Sequence, residues 1–146
     1  MKTTLLQGAI INGVINGSIN GGIQWFSFKK HETVPISVDS ITNQEFTVLG
    51  SAVHLSVTLA MILTFVAYFS IKKEMRPKIT SFLWLILKHG FFTFGVATGL
   101  SVMWQYKMGS IEVSALTGTL LVGLIASVVA GVVNYLTLKP YSETSS

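Results

Sequence analysis

The sequence predicts an all-α integral membrane protein, with four transmembrane helices in one domain (residues 1–146) that form two repeated helical hairpins. Half of the 146 residues are hydrophobic and only 11% are charged, whereas soluble domains carry about 25% charged residues. Apolar segments of the length that crosses a bilayer alternate with polar loops. Nearly all Lys and Arg residues lie at the ends of these segments, where membrane topology places them.

Composition and motifs exclude several functions. The chain has no cysteine, which excludes disulfides, thiolate chemistry and metals bound through Cys. The net charge of +4 is small and lies at segment ends, so we expect no nucleic-acid partner. Paired carboxylates inside apolar segments, an HExxH motif and a serine-nucleophile motif with a base are missing from the sequence. We therefore expect no enzyme activity, no catalytic residue and no cofactor.

The first predicted span covers residues 5–28 and ends in an aromatic belt of Trp25, Phe26 and Phe28. The first six residues resemble the start of a signal peptide, but the segment that follows is too long and is interrupted by asparagines. We therefore expect a span that is retained. Three Asn residues and Gln24 make it weakly hydrophobic, so it needs protein neighbours in the membrane.

A polar loop at residues 29–47 follows the first span. Residues 34–38 predict a short extended piece at the membrane edge, and Pro35 argues against a central strand. The end of this loop carries a helix-start signal, because Thr42 and Glu45 have the spacing of a capping box.

The residues on either side of that box, Ile41 and Phe46, fit the hydrophobic staple that often accompanies it. The second helix is therefore expected to start near Asn43, ahead of an apolar span at residues 48–71.

The remaining spans are separated by short loops. A basic turn at residues 72–80 leads into the third helix, which Thr80 or Ser81 is expected to cap. The third span is predicted at residues 81–104 and the fourth at residues 113–138. At about 24 residues each, the spans are roughly 36 Å long, enough to cross a hydrocarbon core of about 30 Å with some tilt.

The basic residues also predict the orientation. Six Lys and Arg residues lie in the basic turn and near the two chain ends, and the opposite side carries three, Lys29, Lys30 and Lys107. The positive-inside rule then places both termini and the basic turn in the cytoplasm, and the loop at 29–47 on the other side. We expect a multi-pass protein of the cell (inner) membrane.

The two halves of the chain resemble each other. A shift of 77 residues matches Asn12-Gly13 with His89-Gly90, Gly22-Ile23 with Gly99-Leu100, Lys30 with Lys107, and Ser37 with Ser114. A shift of 67 then matches residues 68–72 with residues 135–139. A duplication would relate the halves by an axis along the membrane normal. The alternative is that two helical hairpins of similar composition look alike.

Small residues at a spacing of four lie on one face of the first and fourth spans: Gly13, Gly17 and Gly21, and Gly123, Ser127 and Gly131. This pattern is typical of membrane helices that pack closely, here as a glycine zipper. The two helices could pack on each other, or each on another subunit. The alternative is that the glycine face lines a site for a ligand that contacts the helix backbone.

The asparagine stripe is the strongest functional signal. Asn12, Asn16, Asn20 and Gln24 also recur every four residues, so they share a face of the first helix over about 18 Å. Three interpretations are open. The amides could bond to a neighbouring helix, line a polar path or ligand site, or form a ladder with copies of themselves around an oligomer axis.

The third span contributes His89, at the position equivalent to Asn12, and Thr93 one turn further on. A histidine bonded to a neighbouring Asn or Thr is the ordinary alternative to a ligand or proton-relay role. Lys88 is a candidate anion or proton site if it does not snorkel to the headgroups, and His54 is a second candidate. His54 and His89 are expected at opposite depths, so we predict no metal site.

Two classes of function remain open. The first is a channel or transporter of several copies, in which a small polar solute or ion moves along Asn12, Asn16, Asn20, Gln24, His89 and Thr93. The second is a non-transporting membrane subunit that uses the same stripes to hold helices or a partner together. In both, the partners we expect are the lipid bilayer and further copies of the chain.

Overall fold

The computed structural model describes residues 4–39 and 46–142. In these residues four helices and two strands follow one another in the order α1, β1, α2, α3, β2, α4. Their bounds are Leu5–Phe28, Thr33–Ile36, Val48–Ser70, Ile79–Met108, Ile111–Ser114 and Ala115–Ser142, with a 3₁₀ turn at Lys73–Met75 between α2 and α3. The prediction of a helical protein is confirmed, with a two-stranded ribbon added.

Three of the four helices, α2, α3 and α4, are long and apolar enough to cross a membrane. Helix α1 covers the predicted residues 5–28, but its glycines and asparagines leave it below that level of hydrophobicity. Its start is fixed by a capping box, since the Thr4 side chain accepts from the Gln7 N–H at 3.2 Å and Gln7 Oε1 accepts from the Thr4 N–H at 3.0 Å.

Two predicted helix starts were wrong. Helix α2 begins at Val48, later than the expected start near Asn43, because Phe46 and Thr47 are not helical and the Thr47 side chain caps it by accepting from the Gly50 N–H at 3.1 Å. The expected capping box and the staple residue Ile41 fall in residues 40–45, outside the described residues.

Helix α3 begins at Ile79, so neither Thr80 nor Ser81 caps it. It also continues to Met108, four residues beyond the predicted span, and stops at Gly109, whose φ of 70° suits glycine.

The strands β1 and β2 form an antiparallel ribbon that was only half predicted. The first lies within the expected extended piece, at Thr33–Ile36. The second, Ile111–Ser114, was not expected, so α4 starts at Ala115 rather than near residue 113. The sequence signal for this strand is an alternation of apolar and polar residues. Over only four residues such an alternation is too short to distinguish a strand from a loop. Pro35 lies opposite Glu112 in the register.

The four helices form a row rather than a closed bundle. Helix α4 contacts α1 on one side and α2 on another, and α2 in turn contacts α3. Small and branched apolar side chains fill the centre between α2 and α4, among them Ala60, Ala126 and Ala130, all with no exposed surface. The outer faces carry large apolar side chains, such as Phe91 with 75% exposed, as expected of faces that meet lipid.

The connections between the helices lie at the two ends of the helix axes. The ribbon lies where α1 and α3 end and where α2 and α4 begin; we call this the ribbon end. Gln105 of α3 ties the ribbon loop to the helices, because its Oε1 accepts from the Val38 N–H at 2.6 Å and its Nε2 donates to the Asp39 carboxylate at 3.2 Å. The basic turn, the start of α1 and the end of α4 lie at the other end of the helices.

Candidate functional site

The glycine face of α1 lies directly against α4. A methyl group built on Gly13 would come within 2.7 Å of the Ser127 carbonyl oxygen, and one on Gly17 within 2.7 Å of the Gly123 carbonyl oxygen. Gly131 of α4 is also close, since a methyl group there would lie 3.3 Å from the Ala9 carbonyl oxygen. Backbone therefore meets backbone along this contact, which only small residues allow.

The asparagine stripe lies on one flank of this contact, and its amides are half-buried. Asn16 Nδ2 donates to both the carbonyl oxygen and the side-chain oxygen of Asn12, each at 2.9 Å. Asn20 Nδ2 donates to the Asn16 carbonyl oxygen at 2.7 Å. The three asparagines thus bond along their own helix and make no hydrogen bond to a neighbouring helix within residues 4–39 and 46–142.

These bonds leave amide groups without partners. Asn16 Oδ1, Asn20 Oδ1 and Asn12 Nδ2 have no hydrogen-bond partner among the described residues. None of these atoms is sealed from the surroundings. The stripe therefore presents two free acceptors and one free donor beside the α1–α4 contact.

The last member of the stripe reaches a second helix. Gln24 Nε2 donates to Ser51 Oγ of α2 at 3.5 Å, near the ribbon end. This bond is at the long limit for a hydrogen bond, so it contributes little by itself. It shows that the stripe faces the side of α4 on which α2 packs.

His89 has a different environment on α3. The Thr64 hydroxyl donates to the Ala60 carbonyl oxygen at 2.7 Å, so its oxygen must accept the proton of His89 Nδ1, 2.8 Å away. This network assigns the proton of a neutral ring to Nδ1 and leaves Nε2 as an acceptor with no partner in the described part of the chain. His89 thereby joins α3 to α2.

The structure does not bring the predicted path residues together within one chain. The asparagines and Gln24 lie on α1, which packs on α4, whereas His89 and Thr93 lie on α3, which packs on α2. His89 and Thr93 line a cleft of about 450 Å³ between α3 and α4. No residue of α1 lines it.

The two candidate ion or proton residues are exposed. Lys88 and His54 lie on outer faces of α3 and α2, and neither side chain has a hydrogen bond or ion pair with another described residue. The His54 carbonyl oxygen accepts from the Thr58 hydroxyl at 3.0 Å, which is an ordinary bond within a helix. These two residues form no site with each other or with the stripe.

Three buried hydroxyls lie on α2, α3 and α4. The oxygens of Ser56, Thr98 and Thr119 are buried and have no hydrogen-bond partner in the described structure. Sequence reasoning missed Ser56 and Thr119, because serine and threonine are common in membrane helices and usually bond to the preceding turn. Thr98 was a candidate to extend the polar lining of the path.

The described residues contain no group of three His, Cys, Asp or Glu side chains placed to hold a metal ion. The arrangement offers hydrogen bonding and helix contact. Comparisons with family models, with curated proteins and with solved structures gave no match.

Proposed function

We propose that the protein is a membrane protein in which all four helices cross the bilayer, and that copies of the chain assemble so that the asparagine stripe lines a path for a small polar solute or ion. One observation carries the proposal. The amides of Asn12, Asn16 and Asn20 are half-buried, and they leave two acceptors and one donor without partners. Water, a polar solute or another amide would satisfy these atoms, and hydrocarbon would not.

The arrangement of helices supports an assembly of several copies. Helix α1 stands at one end of the row and contacts α4 as its main neighbour, so its stripe is not enclosed by the described parts of one chain. Two clefts, of about 490 and 450 Å³, are lined almost entirely by apolar side chains. A polar path therefore requires a second surface opposite the stripe, and another copy of α1 supplies matching amides.

A non-transporting subunit is the second candidate function. The close contact of Gly13 and Gly17 with α4 and the bond from Gln24 to Ser51 favour it, because both show residues of the stripes holding helices together. In this case the free amides would bond to a partner helix without admitting water. The two candidates differ in whether solute crosses the membrane.

The orientation of the proposed protein follows from charge. The ribbon end has the longer loops and few basic residues, whereas the opposite end carries the basic turn. We place that turn and both termini in the cytoplasm of a cell whose inner membrane holds the protein.

We also propose that the two halves arose by duplication, for which the ribbon provides independent support. A two-fold axis through the ribbon passes between two opposed residues whose numbers differ by the repeat shift. Pro35 and Glu112 are opposed, and their numbers differ by 77, the first shift found in the sequence. The starts of α2 and α4, Val48 and Ala115, differ by 67, the second shift found in the sequence.

The test of transport is a liposome swelling assay with Asn16→Leu. Proteoliposomes are transferred to iso-osmotic glycerol, urea or potassium chloride, and light scattering follows solute entry. If the stripe lines a path, the wild type swells faster than empty liposomes with at least one solute, and Asn16→Leu returns the rate to that of empty liposomes.

The matched control is Ser18→Leu, a polar residue of α1 that is exposed on the opposite flank of the α4 contact. It should leave the swelling rate unchanged. Swelling equal to that of empty liposomes for wild type with all three solutes, or undiminished in Asn16→Leu, contradicts the transport proposal. Loss of assembly in Asn16→Leu with no wild-type transport supports the non-transporting subunit.

A further inference from the structure

A second feature of the molecule, separate from the asparagine stripe, is a long cleft between α3 and α4 with α2 as its floor. Its larger part has a volume of about 450 Å³ and reaches from His89 to Leu100. A smaller part of about 220 Å³ adjoins it and ends at Trp104, near the ribbon end. The two parts share Ser56, Ala97 and other lining residues, so they form one continuous space, which we call the α3–α4 cleft.

Two buried hydroxyl groups lie in the smaller part of the cleft. Ser56 of α2 has no exposed surface and Ser101 of α3 has 7% exposed, and both line this part. Ser56 Oγ is buried and has no hydrogen-bond partner in the described structure, and the Ser101 hydroxyl makes no hydrogen bond with a described residue. A buried hydroxyl without a partner is rare in proteins because leaving it unpaired is costly. One that shares a cavity with a second unbonded serine points to a ligand group that bonds to them.

The lining also indicates the charge of such a ligand. No Lys, Arg, Asp or Glu side chain lines either part of the cleft. A carboxylate or phosphate placed there would be desolvated without a counter-charge, which is strongly unfavourable. The polar group of the ligand must therefore be neutral, and a hydroxyl or carbonyl group can bond to a serine hydroxyl.

The rest of the cleft indicates the body of the ligand. From Trp104 to His89 the cleft follows fifteen residues of α3, or roughly 22 Å. Apart from Thr93 and His89, the walls of the larger part on α3 and α4 are apolar. This shape fits a single extended chain rather than a compact solute.

We propose that the α3–α4 cleft binds a neutral single-chain amphiphile, a long-chain alcohol or its carbonyl counterpart, with its polar group on Ser56 and Ser101 and its chain directed towards His89. This binding is independent of transport along the asparagine stripe. It assigns the buried hydroxyls a partner and gives the cleft an occupant of defined polarity.

The test uses fluorescence quenching of Trp104, which lines the cleft at its mouth. Trp25→Phe and Trp84→Phe are combined so that Trp104 is the single reporter. The full-length protein in detergent is titrated with bromododecanol, with bromine on the carbon next to the alcohol, and with bromododecane, which lacks the hydroxyl. Contact with bromine quenches tryptophan. We expect saturable quenching by the alcohol, with half-saturation at about fivefold to tenfold lower concentration than for the alkane, as one or two net hydrogen bonds would give.

Two kinds of variant distinguish the contribution of the serine hydroxyls to binding from the need for open space in the cleft. Ser56→Ala with Ser101→Ala should remove the preference for the alcohol, and Ala97→Leu should abolish saturable quenching by filling the shared wall. Thr98→Ala is the matched control, because Thr98 is a buried hydroxyl without a partner that lines neither part of the cleft. It should leave both affinities unchanged.

Three results would overturn the proposal: quenching that rises linearly without saturation, equal affinity for the alcohol and the alkane, or a preference that survives the double alanine variant. If that double variant fails to fold, the comparison of the two probes in the reporter protein still decides, because it needs no change in the cleft.

Discussion

At the scale of single residues, glycine and asparagine on neighbouring faces of α1 act together. The glycines bring the α1 backbone against the α4 backbone, so that a methyl group on Gly13 or Gly17 would clash with a carbonyl oxygen. Close approach also covers the flanks of the helix, which is why the asparagines one position earlier are half-buried rather than exposed. The glycine spacing thus determines the environment of the amides.

Gly17→Ala should weaken the α1–α4 contact. The added methyl group would lie 2.7 Å from the Gly123 carbonyl oxygen and would also clash with the Ser127 side chain, so the backbones must separate. We expect a loss of about 1–3 kcal/mol in the free energy of unfolding, as for other overpacked sites. Thermal or denaturant unfolding in detergent measures it.

Gly22→Ala is the matched control on the same helix, because a methyl group there meets nothing within 4 Å. Replacing an unconstrained helical glycine should leave stability unchanged or raise it by about 0.5–1 kcal/mol. Equal effects of the two substitutions would show that α1 does not lie on α4 as described.

The sequence predicted where these residues lie on the helix but not what they bond to. A period of four places Asn12, Asn16 and Asn20 on one stripe whatever surrounds them. The choice between a neighbouring helix and the residue's own helix depends on side-chain rotamers and on the distance to the next helix, which a single sequence does not contain. Here Asn16 and Asn20 donate to the preceding turn, the local alternative that short polar side chains always have.

At the scale of the elements, the limits of α1 were predictable and those of the ribbon were not. Polar sequence ahead of Leu5 and lysines after Phe28 mark both ends of α1. Strand β2 has four residues and gains its partner from β1, far away in the sequence. Such a short strand becomes stable through pairing, which local propensity does not report.

The ribbon register predicts a specific cross-link. Pro35→Cys with Glu112→Cys places two thiols on directly opposed positions, where the Cα atoms are close enough for a disulfide. Because the chain has no native cysteine, mild oxidation should convert this variant to a faster-migrating species on non-reducing gels. Pro35→Cys with Ser110→Cys, two residues out of register, should react far more slowly. Equal rates would contradict the register.

At the scale of the whole molecule, each half of the chain is completed by the other. Helix α1 lies on α4 and α3 lies on α2, while α2 and α4 meet at the centre. All three of these helix contacts join the two halves, as does the ribbon. The hydrophobic pattern predicted the helices, but their order in the row depends on long-range contacts between surfaces of similar composition.

A chain divided in the basic turn should therefore need both pieces. We expect residues 1–74 expressed alone to lack a stable fold, because α1 would have lost α4, its main neighbour. Co-expression with residues 75–146 should restore a complex that co-purifies through a tag on either piece. A stable first piece on its own would show that the contacts between the halves are dispensable.

The orientation of the whole molecule in the membrane can be measured with two matched substitutions, Glu32→Cys and Glu74→Cys. Both glutamates are exposed, one near the ribbon and one in the basic turn, so each thiol is accessible to reagent on its own side. Because six basic residues flank the basic-turn end and three flank the ribbon end, we expect a membrane-impermeant maleimide added to intact cells to label residue 32 and to spare residue 74 until the membrane is opened. Labelling of residue 74 from outside would reverse the orientation, and labelling of both residues from outside would show that α2, which lies between them, does not cross the membrane.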